Sequence, residues 1–335
     1  GGWLGARFGL NRTMQIGLLM QIGALSMLLV PEQVLTVVWV MMAQALSGIA
    51  KDLNKMSAKS SMKSIASDQN DGLYRIVAFL TGSKNALKGA GFFIGALLLS
   101  LLEFDGAVTA MVVMLTIVWL LSLVLLRQEL GVMKNKPKFN QIFSNSIAVN
   151  WLSLARFFLF GARDVWFVVA LPVFLHQTLE WNFWKVGGYL AAWISIYGAI
   201  QAVAPTLTGK YKTLEAARAQ LVLFGGLLAL IPAGIALALT RDFSVVYVVT
   251  IGLMLFALLF AMNSALHSFL IVRYARADGA SLDIGFYYMA NASGRLTGTL
   301  LSGLSYQMGG VGAWLSVAAI MLAMSAFAAG RLKSS

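Results

Sequence analysis

Apolar residues fall along this chain in runs of about twenty, separated by short polar stretches. At a rise of about 1.5 Å per residue, such a run spans the roughly 30 Å hydrocarbon core of a bilayer, so each predicts a membrane-crossing helix. Ten are expected, near 13–30, 33–62, 76–102, 106–126, 147–175, 185–207, 218–239, 244–270, 284–306 and 311–330. The longest hydrophilic stretch, RQELGVMKNKPKFNQIFSNS at 127–146, divides them into a front part, 1–126, and a rear part, 147–335.

Composition fixes the class. Hydrophobic residues make up 59% of 335 and charged residues 11%, with a mean hydropathy of +0.79, values that a water-soluble domain has no use for. The expected fold is an all-α polytopic membrane protein in a lipid bilayer. There is no cysteine, which excludes disulfides, thiolate metal sites and cysteine nucleophiles together. No metal or cofactor is called for. The net charge of +12 points to membrane borders, where Lys and Arg gather on the cytoplasmic side, and nucleic acid is not expected as a partner. Alternate connections hold Arg7, Arg12, Arg127, Lys134, Lys136, Lys138, Lys210, Lys212, Arg218, Arg273, Arg276, Arg331 and Lys333. The opposite set holds only Lys185 and Arg241. That asymmetry places the first residues, the central loop and the C-terminus in the cytoplasm. Trp181 and Trp184 sit at the other face and read as interfacial anchors.

Charge at membrane depth is where chemistry is expected, because a cation there costs roughly 2.5–3.5 kcal/mol even on the lenient insertion scale. Lys51, Lys55, Lys59 and Lys63 recur every fourth residue in GIAKDLNKMSAKSSMK. Each step turns a helix by about 40°, so they form a drifting column on one face, suited to a multiply charged anion. Lys51 and Lys55 lie in the inner half of the span and read as substrate contacts; Lys59 and Lys63 fit snorkelling to the headgroups. Asp52 precedes Lys55 by three residues and can pair with it. Ser57, Ser60, Ser61 and Ser64 are potential donors to phosphate oxygens, or merely interfacial. The next helix repeats the spacing with Lys84 and Lys88, with Asn85 beside them, and its Gly89, Gly91 and Gly95 are expected to pack closely against another helix.

In the rear part, Arg163 and Asp164 fall mid-span, as does Arg295 in ASGRLTGTLLSG. Arginine keeps its charge and presents a planar fork matched to phosphate, arsenate and carboxylate oxygens, which makes the two arginines the leading substrate ligands. Direct pairing of Arg163 with Asp164 looks awkward, since adjacent residues diverge by about 100° on a helix. Asp164 is either a proton site or a structural counter-charge. Arg156 shares the face of Arg163 and either extends a cationic path or snorkels. Asn263 and His267, four apart, suit proton relay or plain packing. Tyr287 and Asn291 are placed to support Arg295 by hydrogen bonding.

Five strings, GGWLGARFGLNRTM, QALSGIAKDLNKMSAKSSMK, LTGSKNALKGAGFF, FLFGARDVWFVVALPVFL and GFYYMANASGRLTGTLLSG, spread over the whole chain. The first resembles the major facilitator superfamily signature between its second and third helices: glycine, three residues, an acid, a base, any residue, glycine. Gly2, Arg7 and Gly9 match, and Ala6 stands where the acid is usual. Together the strings resemble the organoarsenical efflux permeases of that superfamily, the ArsJ type. The resemblance implies a twelve-helix fold, of which ten are present here as helices 3–6 and 7–12, with two expected before them. It also implies export of 1-arseno-3-phosphoglycerate across a bacterial inner membrane, conferring arsenate resistance, by a monomer that depends functionally on glyceraldehyde-3-phosphate dehydrogenase. Proton antiport is the usual coupling.

On the residues alone the substrate is a polyanion, and an organophosphate or sugar-phosphate exchanger of the same fold fits equally. A membrane enzyme acting on a lipid phosphate fits less well: there are two histidines, and neither a GxSxG nor an HExxH string. A structural or receptor-like membrane protein has little use for so many interior charges. No catalytic residue is expected. In the alternating-access scheme these readings suggest, the lysine column draws the anion inward and Arg163 and Arg295 grip its two acidic ends.

Overall fold

A computed structural model describes residues 2–65, 70–126, 146–208, 213–241, 243–276 and 279–332. Almost all of the central loop expected at 127–146 lies outside the described residues, as do the side chains of Lys63 and Asn85. The described chain is helical, with no strand among the described residues: α1 (Gly2–Phe8), α2 (Leu10–Ser26), α3 (Val37–Ile65), α4 (Asn70–Leu125), α5 (Ile147–Phe167), α6 (Ala170–Gln177), α7 (Phe183–Thr208), α8 (Leu214–Ala238), α9 (Val245–Tyr274) and α10 (Ala280–Gly330). Seven of these stretches are long and apolar enough to cross a bilayer. The helix α3 misses that standard because Lys51, Asp52, Lys55, Lys59 and Lys63 lie within it.

Two elements each hold two helices joined across a kink. A straight helix of 56 residues would be about 84 Å long, far beyond a bilayer. The interruption comes at Glu103, whose φ of 56° is left-handed, and in α10 at Gly309 and Gly310, so the ten expected segments appear in order. The expected single helix at 147–175 is instead broken into α5 and α6 around Val168 and Val169. Pro172 explains the break: it lacks the N–H that would reach Val168, and its ring crowds that residue's carbonyl.

The chain forms two compact units. The first comprises Gly1–Ala66, Gly91–Ser144 and Ala275–Phe286. Within it the turn between α1 and α2 rests on Gly9, whose φ of 100° suits glycine alone. A Cβ on Gly2 would collide with the backbone of Ser281, so the signature glycine is there for a close backbone approach. Ala6, where the signature usually has an acid, is fully buried. The connection before α10 is pinned by Arg276, whose Nε and Nη2 each donate to the buried Asp283 at 3.0 Å.

The second unit comprises Ser67–Ala90, Asn145–Tyr274 and Tyr287–Ser335. Its core is aromatic, built from Trp166, Trp193, Phe256, Phe260 and Trp314, with Trp166 and Trp193 edge to face at 5.3 Å. Buried Trp193 donates its indole N–H to the Leu253 carbonyl at 2.8 Å. The helices α5 and α10 touch backbone to backbone: a Cβ at Gly294 would strike the Phe157 carbonyl, and one at Gly298 the Gly161 carbonyl. Gly294 and Gly298 are a GxxxG pair, which allows this approach. By contrast, Gly91 and Gly95, which belong to the first unit, have nothing within 4 Å of a built Cβ, so the close packing expected of them is not seen among the described residues. A Cβ on Gly82 of α4, in the second unit, would collide with the backbone of Ala202. Replacing Gly298 by valine is expected to separate α5 from α10. Overpacking of this kind typically costs about 1–3 kcal/mol and more where backbone must move, which fluorescence-detected gel filtration and a lowered Tm will register.

Candidate functional site

Four charged side chains of the second unit define the site. Asp164, on the last turns of α5, is 1% exposed and takes a guanidinium at each oxygen. Arg295 donates Nε–H to Oδ2 at 2.8 Å, and Arg163 donates Nε–H to Oδ1 at 2.7 Å, with its Nη2 also on Oδ1. Pairing of the neighbours Arg163 and Asp164, which helix geometry seemed to oppose, is therefore present. The long arginine stem folds back across the divergence of the Cα–Cβ bonds and its fork reaches the shorter carboxylate. The cluster holds two cations and one anion, a net positive charge. Arg163 is 13% exposed and Arg295 46%, so the second arginine is the accessible one.

Aromatic rings back Arg163. Its guanidinium carbon lies 5.0 Å from the Phe160 centroid, 5.7 Å from Phe167 and 5.8 Å from Phe260. In a desolvated setting each such contact is worth about 2 kcal/mol, which helps to hold a charge that Asp164 alone must otherwise share with Arg295.

Two turns earlier on α5, Arg156 is buried, at 5% exposed. Its Nε–H donates to Asn291 Oδ1 at 3.0 Å and its Nη1–H to Ser264 Oγ at 3.1 Å. Its guanidinium carbon stands 3.7 Å from the Phe160 centroid and 5.3 Å from that of Tyr287. Ser264 is the hub of this cluster, since Tyr197 Oη and Gln201 Nε2 both lie 3.2 Å from its hydroxyl. Arg156 thus does not snorkel, and Asn291 serves Arg156 rather than Arg295.

Residues 1–299 match the family profile of the Major Facilitator Superfamily. The chain belongs to the major facilitator superfamily. It is accordingly a membrane transporter of polytopic helical architecture. The fold is similar to that of the human organic anion transporter MFSD10, at a TM-score of 0.79 and 15% identity over 98% of this chain and 79% of that one. It is also similar to a bacterial homologue of the iron transporter ferroportin in an outward-facing state, at 0.76 and 14% over 99% and 85%. The E. coli fucose:proton symporter follows at 0.73 and 12% over 100% and 86%. No curated protein matches it in sequence.

The remaining candidates on this superfamily fold divide between the units. In the first, the lysine column of α3 behaves as its drift requires. Lys51 is exposed, Lys55 is half-buried and paired with Asp52 at 2.9 Å, and Lys59 has rotated inward to 3% exposure. The expected snorkelling of Lys59 is not observed: two steps of about 40° carry it about 80° round the helix from Lys51. In the second unit, Lys84 and Lys88 are exposed on α4. Asn263 donates to the Leu221 carbonyl at 3.0 Å and ties α9 to α8, and His267 is buried beside it on α9. Sequence reading passed over Ser264, Tyr197 and Gln201. Their signal is faint but present: Asn263, Ser264, His267 and Ser268 form a polar stripe in an otherwise apolar helix, and Gln201 interrupts an apolar run in α7.

Proposed function

We propose that the protein exports an arsenylated, phosphorylated organic acid, 1-arseno-3-phosphoglycerate, as a secondary active antiporter. The observation that carries the reading is the buried carboxylate of Asp164 held between Arg163 and a half-exposed Arg295. Arginine forks bind phosphate, arsenate and carboxylate oxygens alike, so an incoming anion competes with Asp164 for the guanidinium of Arg295 while Asp164 balances charge when the site is empty. The identity of the arsenical comes from the family resemblance of five strings spread over the whole chain. The lysine face of α3 gathers anions, and the bodies at 1–126 and 147–335, joined by 127–146, alternate access. A proton, handled by Asp164 or His267, is the proposed coupling ion, and the bacterial inner membrane with a cytoplasmic C-terminus is the proposed setting.

The test is arsenic efflux from arsenate-loaded cells carrying the gene, with and without co-expressed glyceraldehyde-3-phosphate dehydrogenase. Efflux that requires the dehydrogenase is the expected result. Unchanged arsenic retention, with the protein present in the membrane, moves the assignment to an organophosphate exchanger.

A further inference from the structure

Arg163 and Arg295 meet at one carboxylate, so they form one cationic centre and leave a second acidic end of any substrate without a partner. Arg156 is the residue placed to take it. It is a buried guanidinium with no carboxylate paired to it among the described residues; its polar contacts are the neutral Asn291 and Ser264. An uncompensated cation in a membrane interior is costly and marks a functional position. Two of its five N–H groups are used by those contacts, which leaves donors for an anion. Asn291 is only half-buried, so the cluster is open on that side.

Distance fits the role. The guanidinium carbons of Arg156 and Arg163 lie 3.7 Å and 5.0 Å from the same Phe160 centroid, so they are at most 8.7 Å apart, the sum of the two. A three-carbon spacer with bonds of about 1.5 Å separates terminal acidic groups by about 5–6 Å, which lets each end meet one cationic centre. We infer that Arg156 forms a second anion subsite and selects three-carbon substrates that carry an acidic group at each end. This rests on the organic-phosphate reading of the Arg163–Asp164–Arg295 centre.

The test is calorimetric binding to purified protein with two probes. One is 3-phosphoglycerate, acidic at both ends; the other is glycerol 3-phosphate, acidic at one. Wild type is expected to prefer the first by about tenfold or more, a difference within reach of one charge-assisted contact. Arg156→Gln is expected to reduce that preference to less than about threefold. Asn291→Asp keeps Arg156 but supplies it with a carboxylate at the 3.0 Å contact, and is expected to erase the preference in the same way. That variant carries the test if Arg156→Gln does not fold. A purely structural Arg156 predicts a lowered Tm with the preference intact, and an intact preference in both variants overturns the subsite alone. Wild-type protein that binds neither probe overturns the organic-phosphate reading, and the role of Arg156 falls with it.

Discussion

Replacing Arg295 with alanine is expected to abolish transport while the protein still inserts and folds. Among the three members of the Asp164 cluster it is the most exposed, at 46%, so its removal opens no large cavity in the core. What it removes is one of two forks and the accessible share of the positive charge. Truncating one partner of a hydrogen-bonded charge pair costs about 2–5 kcal/mol, and about 1.4 kcal/mol is a factor of ten, so anion binding should weaken at least ~30-fold. Asp164 keeps Arg163 and stays neutralised, which is why folding survives. Arg295→Lys restores charge without the planar fork and is expected to recover only part of the activity. Uptake of substrate into inverted vesicles, normalised to protein in the membrane, reads the effect. Normal export by Arg295→Ala removes that residue from the site.

The number and order of the helices were legible because the bilayer dictates them: with no water to satisfy backbone groups, each crossing needs about twenty apolar residues in a row. The break at Val168 was legible too, in Pro172, yet a count of apolar residues passes through a proline without noticing it. The charges of the site were visible as charges, since Arg156, Arg163, Asp164 and Arg295 stand alone in apolar surroundings. Their connections were not. Arg295 reaches Asp164 across 131 positions of sequence and Asn291 reaches Arg156 across 135. Pairings of that range depend on which helices the fold sets side by side, here α5 and α10 through Gly294 and Gly298. The same limit governs the lysines: spacing gives the column of α3 its pitch, whereas tertiary packing decides that Lys59 turns inward and Lys51 does not.

Asp164→Ala is expected to be the most damaging single change, and its damage to fall first on folding. The carboxylate is 1% exposed and is bonded to Arg163 and Arg295 at separate oxygens, so its loss leaves two guanidinium groups facing each other with no anion between them. Breaking a buried pair by removing one partner costs about 3–5 kcal/mol because the remaining charge stays buried. Arg163, at 13% exposed, bears most of that cost, and the half-exposed Arg295 relieves its share by turning away from it. Asp164→Asn does not repair it: the amide keeps one acceptor but aims N–H groups at a guanidinium that can only donate. Both variants are therefore expected to lower Tm and the yield of folded protein. The double change Asp164→Ala with Arg295→Ala should be less damaging than the two losses added, as members of one network are not additive. Thermal stability in detergent across this cycle separates the two roles open to Asp164. A folded, stable Asp164→Asn protein that equilibrates substrate but no longer concentrates it with a proton gradient identifies a coupling site. Loss of folded protein in both Asp164 variants identifies charge compensation instead, the role that two carboxylate oxygens engaged by arginine support.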